Sequence, residues 1–226
     1  MTADTLPEYP LCRIAAQEHP TPEDLPNLPW ERAGVIAPFI LADGSGPAER
    51  STEARILADD CRLFFRFECA DPCVWGTMTR DNDPIFDEEV VEVFLDPDPS
   101  DDLYWEFELS PNNVRFAALI RNPGPPENEK ILRRLDCSRM ITRVEIYPET
   151  GRPEGWRAYM ALPFALMETA PARGGVWRMN LYRIDRPHPT LPCKVATDEF
   201  SCWSPPLTSP AAFHRPARFG LLRFSG

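Results

Sequence analysis

Glu89–Asp96 reads EVVEVFLD, and Leu103–Leu109 reads LYWEFEL, with the acidic turn from Pro97 to Asp102 between them. In the second stretch Leu103, Trp105, Phe107 and Leu109 alternate with Tyr104, Glu106 and Glu108; in the first, Val91, Val93 and Leu95 alternate with Val90, Glu92, Phe94 and Asp96. A period of two places successive side chains on opposite faces of a strand, whereas a helix would need a period near 3.6. Each stretch therefore presents one apolar face and one face that carries carboxylates. Two such strands joined by a short turn predict an antiparallel pair whose apolar side packs on a second sheet.

The same reading extends in both directions. Upstream, Cys61–Cys69 (CRLFFRFEC) sets Cys61, Leu63, Phe65, Phe67 and Cys69 against Arg62, Phe64, Arg66 and Glu68. Val35 to Leu41 is an apolar run, a turn cluster follows at Gly44-Ser45-Gly46-Pro47, and Thr52 to Ala58 alternates weakly. Downstream, Val114 to Arg121 follows the turn at Pro111-Asn112-Asn113, and further strands are expected at Met140 to Tyr147, Gly155 to Leu162, Val176 to Ile184 and Phe219 to Phe224. A short helical turn is expected after Pro163. Residues 122–130 and 185–200 read as loops. The 27 prolines, well above a background of roughly 5%, fit short strands joined by stiff loops and oppose a helical protein. The predicted fold is all-β: an antiparallel β-sandwich or jelly roll with about ten strands and little helix. Residues 1–30 read as an extended Pro-rich segment anchored by Trp30, and 31–226 as a single sandwich domain.

The net charge of −11 disfavours a protein that tracks a nucleic-acid backbone or an anionic membrane surface, both of which call for surplus Lys and Arg. The seven Cys are irregularly spaced and form no C-x-x-C pair, which predicts scattered reduced thiols. The N-terminus shows no basic and apolar leader pattern, and no run approaches the roughly 20 apolar residues of a membrane helix. The expectation is a soluble, cytoplasmic protein.

Five blocks occur in an order that resembles the carbohydrate-binding modules of family 9, within the DOMON-like β-sandwich superfamily. Arg80–Pro97 (RDNDPIFDEEVVEVFLDP) is similar to an acidic turn followed by the family's D-x-V-E-V-F-x-D strand. Tyr104–Pro111 (YWEFELSP) resembles Y-x-E-F-E-x-x-P. Gly155–Phe164 (GWRAYMALPF) resembles G-W-x-x-E-x-A-I-P-F, with Tyr159 in place of the acidic residue. Trp177–Ile184 (WRMNLYRI) resembles W-R-x-N-x-x-R. The closing WSPPL at Trp203–Leu207 and FHRPARFGLLRF at Phe213–Phe224 resemble W-S-P followed by F-H-x-P-x-x-F-G. The resemblance implies non-catalytic binding of a mono- or oligosaccharide, with a link to carbohydrate catabolism. It also implies a sugar held between two Trp rings, with Glu, Arg and Asn nearby, and a structural calcium.

On that basis the loop residues Trp75 and Trp203 are the aromatic clamp candidates, because rings stack on the apolar faces of sugars. Trp105 and Trp177 alternate with core residues, and Trp30 and Trp156 read as structural. Arg66, Glu92, Glu106, Glu108, Arg178 and Asn180 occupy the polar faces of the middle strands and could gather on one sheet face; Arg80 and Asp81 lie near Trp75. Calcium would fall on the acidic turns, with Asp96 and Asp98 as ligands. An enzyme is not expected: hydrolase and nucleotide motifs are absent, and same-face carboxylates beside Arg should titrate low, which is wrong for a general acid. The competing readings are a haem-binding sandwich, using an axial pair from Met78, Met179, His188 and His214, and a protein-interaction domain with a degenerate sugar pocket.

Overall fold

The computed structural model describes residues 5–124, 127, 129–148, 150–151, 154–188 and 197–224. Within these residues, strands form two stacked sheets. The strands are β1 (Glu8–Pro10), β2 (Cys12–Arg13), β3 (Ile40–Leu41), β4 (Thr52–Ala58), β5 (Arg62–Ala70), β6 (Val90–Asp96) and β7 (Leu103–Leu109). They continue with β8 (Arg115–Arg121), β9 (Lys130–Arg134), β10 (Ile141–Tyr147), β11 (Gly155–Pro163), β12 (Val176–Asp185), β13 (Glu199–Cys202) and β14 (Gly220–Arg223). The five-stranded sheet runs β10-β11-β5-β4-β2. The nine-stranded sheet runs β1-β14-β12-β6-β7-β8-β9, and β13 and β3 branch from β12. Helix is limited to short 3-10 turns, one of them the expected turn after Pro163 at Phe164–Leu166.

Pairing is antiparallel except for β1 with β14 and β2 with β4. Both exceptions come from the Pro-rich segment at the N-terminus, which adds one strand to each sheet. β9 and β13 fall in or beside segments read as loops. β9, KILRR, is exposed along its whole length, and as an edge strand it carries the Lys and Arg that deter edge-to-edge pairing, so no apolar alternation marks it. β13 has four residues, too few to show a period. Residues 125, 126, 128 and 189–196 of the two expected loops lie outside the described residues.

Alternation decides the core. Leu63, Phe65, Phe67, Val91, Val93, Phe107, Met179 and Leu181 are fully buried between the sheets. Burying each such side chain contributes roughly 1.5–3 kcal/mol. The two outer faces are covered as well. Phe64, on the otherwise polar face of β5, packs with Tyr159 beneath the two 3-10 turns that carry Leu25 and Trp30, and the Trp30 indole donates to the Leu25 carbonyl at 2.8 Å. On the nine-stranded sheet, Phe94, Tyr104, Phe116 and Tyr182 form a further cluster under Ile85, Phe213 and Phe219. This cover from the chain beyond β13 creates the site described next.

Close approach limits one sheet junction to glycine. A Cβ on Gly155, at the start of β11, would lie 2.2 Å from the Cys69 carbonyl and 2.4 Å from the Tyr147 hydroxyl.

Candidate functional site

A cavity of about 410 Å³ opens on the outer face of the nine-stranded sheet. Glu92 of β6 and Glu106 of β7 reach it from the sheet. Phe116 of β8 contributes a wall with Phe86, from the turn before β6, and their rings meet edge to face at 5.7 Å. Phe200 of β13 and Phe213 of the closing loop form a second such pair at 5.9 Å. Phe213 is in turn stacked on Tyr182 at 4.1 Å. His214 and Arg186 complete the lining.

The strand register explains the electrostatics. Glu92 lies directly opposite Glu108 in the β6–β7 pairing, and Glu106 is two residues from Glu108 on the same face. Like charges in such positions repel, and all three groups are buried. Burial pushes the Glu92 and Glu108 carboxyls well above the usual carboxylate range, and the Glu106 charge adds to both shifts. Glu108, fully buried with no hydrogen-bond partner for either carboxyl oxygen among the described residues, is driven toward its protonated form, whereas burial raises Glu106 only to about 7. Glu92 is 2% exposed, and its carboxyl has no hydrogen-bond partner among the described residues. His214 is pushed down by burial, so the imidazole is neutral near pH 7, and its Nδ1 shares a 2.6 Å hydrogen bond with the Tyr104 hydroxyl.

Of the residues singled out from sequence, Glu92 and Glu106 line this cavity. Trp75 stands behind its wall: the indole N–H donates to the Arg186 carbonyl at 2.8 Å, and the ring meets His188 at 5.1 Å. Trp203 is half-buried against the inter-sheet core, with its ring against Gly220. The structure thus does not bring the two indoles together as a clamp, and four phenylalanines supply the aromatic surface of the cavity. Asn180 is fully buried and donates to the Tyr182 hydroxyl and the Ser204 carbonyl, both at 2.7 Å, which pins the closing loop to β12. Arg178 points to the Pro216 carbonyl at the Asp96 end of the strand. Arg80 is exposed, and Asp81 is paired with Arg115 at 2.6 Å.

The low-titrating carboxylates expected from neighbouring Arg are reversed here. Arg66 lies on the other sheet, bonded to Glu68 at 2.5 Å, and Arg178 faces Asp96, four residues along β6 from Glu92, so neither neutralises the glutamates. Phe116 was legible as part of the period-two face of β8, with Ala118 and Ile120. Phe200 and Phe213 lie in short or irregular segments, and only the folded chain brings them to the sheet.

The acidic turns do not offer a calcium cage. Asp98 is exposed and accepts from Ser100 N–H and hydroxyl, while Asp96 is buried and pushed up to about 7, chiefly by burial. Asp71, Glu89 and Asp185 do gather, with carboxylate oxygens within 4.8 Å of one another. However, the buried Arg183 guanidinium bonds to Asp71 at 3.3 Å and Asp185 at 2.8 Å, and Arg50 reaches Asp185 at 2.7 Å. Glu89 is pushed up to about 10 by burial and then by Asp71, and its Oε2 accepts from the Trp75 N–H at 3.3 Å. Two guanidinium groups already supply the positive charge, so this donor set does not fit a divalent cation. Next to it, Cys73 is held in a disulfide, contrary to the expectation of reduced thiols; Cys12, Cys61, Cys69, Cys137 and Cys202 are free.

No family model matches the chain. A protein of Arthroderma benhamiae described as an extracellular protein is 26% identical over 227 residues, 94% of this chain and 93% of its own length. Among solved structures, a candidate carbohydrate-binding protein from Bacteroides uniformis superposes with a TM-score of 0.76 at 19% identity, covering 98% of this chain and all of that one. A family 9 carbohydrate-binding module from Caldicellulosiruptor kristjanssonii, solved with cellotriose, gives 0.63 at 14% identity over 95% of this chain and 93% of that one. Such a module from the same organism, solved with glucose, gives 0.60 at 14% identity over 95% and 96%. The chain has the fold of the family 9 modules.

Proposed function

We propose that this chain is a non-catalytic saccharide-binding domain whose ligand sits in the cavity above Glu92 and Glu106. The observation that carries this reading is the Glu92 carboxyl: it is buried, it reaches the cavity, and no group among the described residues bonds to it. Buried polar groups in native proteins are nearly always satisfied, so an orphan aimed into a cavity fits a ligand hydrogen bond. The surrounding Phe86, Phe116, Phe200 and Phe213 offer the ring surfaces that stack on sugar C–H faces. The cavity volume falls within the usual range for small-molecule sites, about 300–1,000 Å³. Similar modules solved with cellotriose and glucose lend weight to the ligand class.

The haem reading meets an obstacle in placement. Met179 lies fully buried between the sheets, whereas His214 lines the cavity on the outer face, so that pair cannot bind one iron, while Met78 packs on the outer-face cluster. The interaction-scaffold reading lacks a collapsed pocket, since the aromatic cavity is open. The disulfide at Cys73 favours an oxidising compartment over the cytoplasm. Thiol counting of protein isolated from its native cells checks this, and a reduced Cys73 there would restore the cytoplasmic assignment.

The test of binding is a glycan screen followed by calorimetry on wild type and on Glu92→Gln and Phe200→Ala. Trp75, bonded to the cavity-lining residue Arg186, serves as a fluorescence reporter. A saccharide bound by wild type and lost in both variants supports the site. Absence of any response across the screen sinks it, and release of reducing sugar during the titration replaces binding with hydrolysis.

A further inference from the structure

The charge balance of the cavity is one-sided. Asp87, Glu92, Glu106 and Glu129 line it, against Lys130 and Arg186. Arg186 is already committed: it pairs with Asp198, and its other nitrogen donates to the Phe86 carbonyl at 3.4 Å. His214 is neutral. Behind Glu106 stands Glu108, fully buried and opposite Glu92. Arg134, the cation felt by Glu108, lies over the Phe116 ring at 5.0 Å and bonds to the Asn82 carbonyl. Thus, among the described residues, the two carboxyls that face the ligand directly have no counter-charge in contact.

We infer that the cavity selects a saccharide bearing a free ammonium group, that is, an unacetylated amino sugar, over its neutral counterparts. The inference rests on the saccharide reading above and narrows it. A sugar hydroxyl donates one hydrogen bond and brings no charge, so ionising these buried acids stays unfavourable. An ammonium has three donors, enough to reach Glu92 and Glu106 together, and its charge offsets the cost of ionising them. An acetamido group has a single N–H and no charge. The walls suit a cation too. Aromatic rings attract cations through their faces, and two of these four rings already do so: Phe116 carries the Arg134 guanidinium, and Phe200 carries that of Arg186 at 5.3 Å. Binding should also expel protons, because an ammonium beside Glu92 and Glu106 favours their ionised forms.

Isothermal calorimetry at pH 7, in two buffers of different ionisation enthalpy, tests this with glucosamine and its trimer against glucose, N-acetylglucosamine, cellotriose and the non-sugar cation n-butylammonium. The expected result is affinity for the amino sugar at least tenfold above that for glucose and N-acetylglucosamine, with net proton release. In Glu92→Gln and Glu106→Gln, that preference should fall close to one, with unchanged circular dichroism spectra. Equal affinity for neutral and amino sugars overturns the inference and leaves the saccharide reading standing. Binding of n-butylammonium without any sugar removes the saccharide reading and keeps the cation selection. No binding of either ligand type removes both.

Discussion

Replacing Glu106 with Gln should stabilise the ligand-free protein, and only above a definable pH. Glu106 is buried beside Glu92 and Glu108, and its carboxyl is raised from 4.5 to about 7. Below pH 4.5 the group is protonated both folded and unfolded, so it costs nothing. Between 4.5 and 7 the folded state binds more protons than the unfolded chain, and stability falls as pH rises. Above 7 the full cost of ionising a buried acid is present. A rise from 4.5 to about 7, at about 1.4 kcal/mol per pH unit, gives about 3 kcal/mol. Gln keeps the size and a polar amide at this position but carries no charge. For a chain of this length, 3 kcal/mol corresponds to roughly 6–12 °C in Tm. Urea and thermal melts of wild type and Glu106→Gln at pH 4.5, 6 and 8 measure it. The two curves should coincide at pH 4.5 within about 0.5 kcal/mol, the usual scatter for a neutral substitution, and separate progressively to pH 8. A difference that is the same at all three pH values, or a variant less stable at pH 8, would show that the acids are not held neutral by the fold.

Three further substitutions probe the frame around the site. Trp203→Ala should lower stability by about 3 kcal/mol in a urea melt, as for other large aromatic truncations, and leave saccharide affinity within about twofold, because the ring packs on Gly220 and the core; a large loss of affinity at unchanged stability would place Trp203 in the site. Arg183→Leu leaves Asp71 buried beside Glu89 without a guanidinium and Asp185 with Arg50 alone, and should cost about 3–5 kcal/mol by chemical denaturation. Gly155→Ala forces a Cβ against the Cys69 carbonyl, and should destabilise by at least about 1–3 kcal/mol, read as a drop in Tm.

Side-chain alternation is a local property, and it was enough to place β5, β6, β7, β8, β11 and β12 and to assign Phe65, Val93, Phe107 and Met179 to the space between two sheets. It also put Glu92, Glu106 and Glu108 on one face, because a strand has only two. What it could not decide was who sits across from whom. Glu92 faces Glu108 and not an arginine because register and strand order are set by long-range pairing, and that choice turns expected low-titrating carboxylates into buried acids. The same limit applies to the aromatic wall. Phe200 and Phe213 come from short or irregular segments with no period to read, and they reach the sheet only because Asn180 bonds Ser204 and Tyr182 stacks on Phe213. The two loop indoles drew attention by being outside strands, yet burial depends on what the chain folds over them. Trp203 found the core, Trp75 the back of the wall, and the sheet face between β6 and β8 was left to phenylalanine and glutamate.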